Sequence, residues 1–270
     1  MSAGISEVEV GVQEPQETAT ASVTKALRLL DVFRHEGPVL GVSELARQAG
    51  VAKSTAFRLL ALLEDADLVE REGTGYRLSW RIFELGTTVQ HRWPHGLREI
   101  ASPWMTEVFV KSGLVVHLAV LEGSDVLYLE KVSGPRSPRT PTAVGARVPA
   151  NCSSLGKSML AYCRPEIVQM VLGGSLARRT AYSVTEPGRL AAELQRIRAA
   201  GVAMDKEEAA LGLGCVAAPI VYGTNVVAAI SVAGPVQNMN WTASAALVKG
   251  AARRIAIDLG AATAASLGGL

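Results

Sequence analysis

The sequence predicts an α+β chain: a small helix-rich domain, a linker helix, and a larger domain around an antiparallel sheet. Three observations predict it. Segments between residues 22 and 65 carry apolar residues at helical spacing, and glycines or a Gly-Pro pair separate them. Past Gly113 the pattern becomes two apolar hairpins, one around Glu122-Gly-Ser-Asp125 and one turning at Tyr222-Gly-Thr-Asn225. Between the hairpins, stretches such as LAAELQRIRAAG return to the helical period.

Composition bounds the function. The 270 residues suffice for one large or two modest domains, and 49% are apolar, so each can bury a core. A net charge of +2 supplies no global field toward nucleic acid or membrane, so any such partner must be met by a local patch. Cys152, Cys163 and Cys215 are scattered, with no CxxC pair, which fits a reducing compartment and argues against zinc. No basic segment followed by an apolar one opens the chain, and no apolar run reaches the ~20 residues of a membrane span. The expectation is a cytoplasmic protein with no membrane partner, no metal and no cofactor.

Residues 1–21 hold Glu7, Glu9, Glu14 and Glu17 without a Lys or Arg, and read as a disordered acidic tail. The next segment places Ala26, Leu27, Leu30 and Phe33 on one helical face and stops at Gly37-Pro38. Ser43 then caps a short helix that ends at Gly50. A further helix runs from about residue 52 to 65, with Leu59, Leu60 and Leu63 as its stripe. DLVERE and YRLS, joined by a turn at Gly73–Gly75, form a hairpin. Residues 80–93 read as a helix broken by Pro94, and residues 96–112 as another containing Pro103. Residues 133–151 read as a loop; SSLGKSMLAYC, PEIVQMVL and LAAELQRIRAAG read as helices, the last with Leu190, Leu194 and Ile197 inward. An Ala-rich helix closes the chain. The domains fall at 1–21 (tail), 22–79, 80–95 (linker helix) and 96–267.

Helix, short helix, glycine turn, second helix, hairpin is the order of a winged helix-turn-helix, whose second helix enters the major groove. Lys53, Ser54 and Thr55 open that helix, where free N–H groups favour phosphate. Phe57 and Arg58 follow, the arginine able to fork to a guanine. Ser43 on the preceding helix, and Thr74 and Arg77 on the wing, complete the candidate interface with double-stranded operator DNA. Residues 24–62 hold six Lys/Arg against three acids, the local patch the whole-chain charge lacks.

Several ordered blocks resemble the IclR family of transcriptional regulators over residues 22–265. They are SVTKALRLLDVF, VSELARQAGVAKSTAFRLLALLEDADLVER, GTGYRLSWRIFELG, GARVPANCSSLGKSMLAY, AAGVAMDKEEAALGLGCVAAPI and VVAAISVAGP. The resemblance implies a GAF/profilin-like effector-binding domain, a homodimer or tetramer, and a small, often acidic, effector. It places effector contacts on Ser154, Leu155, Asp205, Leu213, Cys215, Ser231 and Ala233. The segment from Ser154 to Gly156, running from loop into helix, would add N–H donors for a carboxylate. Ala233 stands where acid-binding members carry a second serine; keeping Ser231 alone points to a larger, partly apolar acid, aromatic ones included.

Other chemistries find weaker footing. NCSSLGKS nearly matches a phosphate loop, but Asn151 stands where the first glycine is required. GLGCVA matches a dinucleotide pattern, yet its glycines precede a strand instead of following one. GGSLA at Ser175 lacks the second glycine of a nucleophile elbow. His35, His91 and His95 have no partner at metal spacing, and His117 reads as a core or pocket residue. No catalytic residue is assigned. The alternative is an enzyme or nucleotide-binding protein built on the C-terminal α+β domain.

Overall fold

The computed structural model describes residues 16–34, 37–89 and 96–267, in two compact units divided near residue 91. His35, His91, Trp93, Pro94, His95 and residues 1–15 lie outside the described residues.

The first unit contains α1 (Gln16–Val32), β1 (Leu40–Gly41), α2 (Val42–Ala49), α3 (Lys53–Asp65), β2 (Val69–Glu72), β3 (Gly75–Leu78) and α4 (Trp80–Thr87). Helix α1 begins inside the stretch expected as tail. Its inward residues are Leu29 and Val32, with Ala26, Leu30 and Phe33 packed beside them, while Leu27 is 56% exposed. The expected face was thus right at its edge and wrong at Leu27, because Val23 and Leu27 form a second apolar stripe that this unit leaves uncovered. Leu45, Leu59, Leu60, Leu63, Val69 and Tyr76 complete the core. Burying such a leucine is worth about 1.5–3 kcal/mol against exposure, so three on α3 fix its orientation.

Gly50 adopts φ 66° and donates to Ala46 and Arg47 carbonyls, closing α2 so that α3 can leave at once. Strands β2 and β3 pair from Val69–Leu78 to Glu72–Gly75 and turn at Gly73-Thr74. Strand β1 pairs with the other edge of β3. A side chain at Gly75 would meet the Leu40 carbonyl, which is why glycine stands there. Ser79 caps α4 by accepting from the Arg81 N–H at 3.2 Å.

The second unit contains α5 (Leu97–Ser112), β4 (Val115–Glu122), β5 (Asp125–Val132), β6 (Arg147–Pro149), α6 (Ser154–Leu160), α7 (Pro165–Gly173), α8 (Pro187–Ala200), β7 (Ala203–Lys206), β8 (Leu213–Tyr222), β9 (Asn225–Pro235) and α9 (Trp241–Leu267). The sheet is antiparallel throughout, in the order β6-β5-β4-β9-β8-β7. Its two edge strands add to the sequence reading: β6 lies within the expected loop, and β7 carries Asp205 in a segment to which the sequence reading assigned no element.

Alternation sorts side chains between two layers. Val116, Leu118 and Val120 of β4, Val216, Ala218 and Ile220 of β8, and Ile230 and Val232 of β9 pack against α5 and α9. The opposite face meets α6, α7 and α8 through Ala119, Tyr128, Ala217 and Ala229. His117, Cys215, Ser231 and Ala233 alternate onto that second face.

Candidate functional site

In the first unit, Lys53, Ser54, Phe57 and Arg58 are exposed at the start of α3, while Ala56, Leu59 and Leu60 are buried on its other side. Positions three and four apart share a face, so Lys53 neighbours Phe57 and Ser54 neighbours Arg58. The N-cap is Ala52, which offers no side-chain hydrogen bond, so Ser54 and half-buried Thr55 lie within the first turn as N2 and N3 rather than capping it. Among the described residues, neither Lys53 nor Arg58 has a carboxylate partner. Ser43 corrects an expectation: Gly41 is the N-cap of α2 without a side-chain bond, and Ser43 lies exposed inside the first turn. On the hairpin, Thr74 is exposed at the turn. Arg77 is engaged with Glu70 at 2.6 Å and Glu72 at 2.9 Å, both exposed pairs of small individual worth. Sequence reasoning missed Arg71, whose guanidinium lies 5.9 Å from the Phe57 ring and 5.1 Å from the Tyr76 ring and bonds Glu64 at 3.2 Å. Flanked by glutamates in VERE, it reads as one more charge on a solvated strand.

In the second unit, a narrow cleft with a cavity volume of about 30 Å³ lies between the sheet and α6. Ser154, Leu155, Asp205, Leu213, Cys215, Ser231 and Ala233 all line it. The register explains the convergence. Asp205 of β7 pairs with Cys215 of β8, which pairs with Ala233 of β9. One row along, Ser231 pairs with Ala217 on β8 and with His117 on β4. Helix α6 covers this face, its first residues toward the cavity.

Gly156 does not line the cavity. A side chain there would stand 2.3 Å from the Ala150 carbonyl oxygen, so its glycine serves close packing of α6 on the preceding turn. Its N–H is taken by Ser153 Oγ at 3.0 Å, the N-cap of α6. Only the N–H groups of Ser154 and Leu155 remain at this helix start.

His117, Tyr128, Thr142 and Arg179 also line the cavity. His117 Nε2 lies 2.8 Å from Thr142 Oγ1, and Lys131 donates to the Thr142 carbonyl at 2.6 Å, tying the loop that carries Thr142 to β4 and β5. Burial, with Lys131 nearby, lowers the His117 pKa to about 3, so the ring is a neutral hydrogen-bonding group. Arg179 is the cation of the lining, its Nε donating to the Ala209 carbonyl at 3.1 Å. Burial pushes the Cys215 thiol well above its ordinary range, leaving a protonated, unreactive wall group.

Asp205, 1% exposed, accepts from the Glu208 N–H at 2.7 Å through Oδ1. Glu207, at φ 64°, turns the chain back to make that bond. Burial raises the Asp205 carboxyl to about 7. Behind it, Lys157 is wholly buried and bonds Glu193 and Glu208, each at 2.6 Å. The lysine of the near phosphate loop therefore points into an ion-pair cluster, away from any phosphate. A lysine among SLG, SML and AY was the available signal, since a buried ammonium demands carboxylate partners. No group of His, Cys, Asp and Glu among the described residues could hold a metal, and no helix among them is long and apolar enough to cross a membrane.

Two family models match: the IclR helix-turn-helix domain over residues 22–73, and the bacterial transcriptional regulator IclR C-terminal domain over residues 91–259. Among curated relatives, the HTH-type transcriptional regulator Rv1719 of Mycobacterium tuberculosis is 34% identical over 230 residues, covering 83% of this chain and 87% of that protein. The HTH-type transcriptional repressor AllR of Klebsiella pneumoniae is 28% identical over 262 residues, covering 93% and 94%. Among solved structures, an IclR homolog from Microbacterium hydrocarbonoxydans complexed with 4-hydroxybenzoate is similar at TM-score 0.78 and 29% identity, covering 89% of this chain and 99% of that one. Thermotoga maritima IclR is similar at TM-score 0.74 and 28% identity, with the same coverage.

Proposed function

The chain belongs to the IclR family of bacterial helix-turn-helix transcriptional regulators, and from that premise we propose that it reads operator DNA with α3 and the β2–β3 wing and responds to a small organic acid in the cavity beside α6. The observation that carries the second half is the convergence of Ser154, Leu155, Asp205, Leu213, Cys215, Ser231 and Ala233 on one cavity. The similar Microbacterium protein is complexed with 4-hydroxybenzoate, which supports a monocarboxylic acid with an apolar body as the class; an aromatic acid enters this narrow cavity by parting its walls.

The lining suits such a ligand. Leu155, Leu213, Val148 and Ala233 supply apolar walls. Ser231, the Ser154 hydroxyl, the two free N–H groups of α6 and Arg179 supply donors for a carboxylate. On the DNA side, Lys53 meets phosphate, Arg58 reaches a base edge, and Phe57 offers an apolar surface to a thymine methyl.

The regulator works as a dimer or a tetramer. Helix α4 buries none of its side chains in the first unit and exposes Trp80, Phe83 and Leu85, with Val89 just beyond. Such a face on a two-residue aromatic edge pair, Trp80 and Phe83 at 6.5 Å, fits a second copy. The C-terminal domain is read as a sensor, in keeping with the transcriptional regulators its family model describes. Acting on DNA, the protein works in the cytoplasm.

A thermal-shift screen of monocarboxylic acids, 4-hydroxybenzoate included, tests the reading. A ligand at 100 times its Kd adds about 2.7 kcal/mol to stability. No stabilisation by any acid, with turnover of one of them, would return the domain to the enzyme alternative.

A further inference from the structure

Behind the cavity wall there is more carboxylate than cation. Lys157 bonds both Glu193 and Glu208, and the Glu208 N–H holds Asp205, so three carboxyls gather around one ammonium. Two of their oxygens, Asp205 Oδ2 and Glu208 Oε2, are buried without a partner. Asp205 is itself part of the cavity wall.

The other groups around Asp205 do not cancel this surplus. Cys215 of β8, Tyr128 of β5 and His117 of β4 are neutral. Arg179, in the segment before α8, lines the cavity but is exposed, so its charge is screened by solvent and only partly offsets an incoming carboxylate, and Arg189 of α8 acts on Glu208. The chain neighbours face elsewhere: Lys206 lies over Trp241 at 5.1 Å, and Glu207 accepts from the Gly212 N–H at 2.7 Å.

We propose that the regulator takes up its acid effector together with one proton, which goes to Asp205. The inference rests on the reading of this cavity as the effector site. An ionised acid beside an ionised Asp205 is opposed by charge repulsion that the low-dielectric interior strengthens. A proton on Asp205 removes the repulsion. It also turns the unpartnered Oδ2 into an O–H that donates to the effector carboxylate, a short, charge-assisted bond. The proton comes from solvent, and the complex carries the same charge as the empty site. Burial already raises the carboxyls of Asp205 and Glu208, so uptake falls in the neutral range.

The test is titration calorimetry of the full chain with 4-hydroxybenzoate and with benzoate, in buffers of different ionisation enthalpy. Near pH 8 the observed heat should vary with the buffer at a slope approaching one proton taken up, falling toward zero near pH 6. Affinity should drop about tenfold per pH unit above about 7 and level off below it. In Asp205→Asn both dependences should vanish. In Glu208→Gln, which keeps Asp205 but removes a neighbouring charge, the pH of half uptake should move down. Wild-type binding of benzoate with no buffer dependence near pH 8 overturns the inference. Uptake that persists in Asp205→Asn overturns the assignment to Asp205. No binding of either acid, nor of any acid in the screen, overturns the effector reading and this inference with it.

Discussion

Ser231 and His117 stand directly opposite each other on β9 and β4, the serine Oγ 3.5 Å from the imidazole Nδ1, both facing the cavity. That is a long contact for a hydroxyl, so Ser231 is poorly engaged within the protein and suited to a ligand oxygen. Ser231→Val keeps the shape and deletes the hydroxyl. It should cost about 1–3 kcal/mol of acid binding, roughly five- to hundred-fold in Kd by calorimetry. Operator affinity without the acid should stay at the wild-type value; an unchanged acid Kd removes Ser231 from the contact set.

His117 and Asp205 should give opposite pH signatures. The folded pKa of His117, about 3, lies below its ordinary 6.5, so the folded state binds fewer protons than the unfolded across that window. Its contribution is present above 6.5 and lost as pH falls toward 3. The folded pKa of Asp205, about 7, lies above its ordinary 3.8, so stability instead falls as pH rises between those values. Relative to wild type, His117→Gln should gain stability toward acid and Asp205→Asn toward neutral pH. Each slope is at most about 1.4 kcal/mol per pH unit. Denaturant melts from pH 4 to 8, on the order of one unit apart, read both slopes; parallel curves would show that these burials do not set the titrations.

Gly156→Ala separates packing from binding. Its Cβ would strike the Ala150 backbone, which cannot move aside like a flexible side chain. Destabilisation of about 1–3 kcal/mol or more is expected, with acid affinity little changed in whatever protein remains folded. A stable variant with weakened acid binding would place Gly156 back at the ligand.

Lys53→Ala and Arg58→Ala should weaken operator binding while leaving the fold intact. If Lys53 meets only phosphate, its loss lowers affinity on every sequence and reduces the salt slope by about one. Loss of Arg58 from a guanine should cost about 1–3 kcal/mol and relax one position of the site. Fluorescence anisotropy at several salt concentrations distinguishes the two, and wild-type affinity in both variants would move the interface off α3.

Phe83→Glu on α4 should disrupt assembly, because a charge would replace an apolar side chain that is 65% exposed within its own unit. Light scattering should show the wild type as a dimer or larger and the variant shifted toward monomer. Two reading heads related by a two-fold axis then require an inverted-repeat operator with half-sites about 34 Å apart or a multiple of it. A monomeric wild type at micromolar concentration would contradict this.

Much of the fold was legible because its periods are strong. Leu190, Leu194 and Ile197 mark α8, and Gly123 and Gly223 mark the hairpin turns, by spacing and turn chemistry alone. The edge strands were not, because β6 and β7 are short and carry Arg147, Asp205 and Lys206; pairing with β5 and β8, not local sequence, makes them strands. Ser153 took the cap expected of no residue there, and Gly41 the one expected of Ser43, since a hydroxyl before a helix does not reveal which turn starts it. Within the candidate site, Ser154, Asp205 and Ser231 came from resemblance to family blocks. Thr142 and Arg179 sit in loops where no period points inward, and only the fold brings them to the cavity.

The central claim, a DNA-reading unit governed by an acid-binding unit, is tested most directly by one titration. Labelled operator fragment is titrated with the full chain, with and without a saturating acid from the screen, while calorimetry measures the acid Kd on free and operator-bound protein. Coupling between two sites is reciprocal, so both measurements should change by the same factor, typically 5- to 150-fold. An acid that binds tightly in the cavity yet leaves operator affinity unchanged would contradict the account.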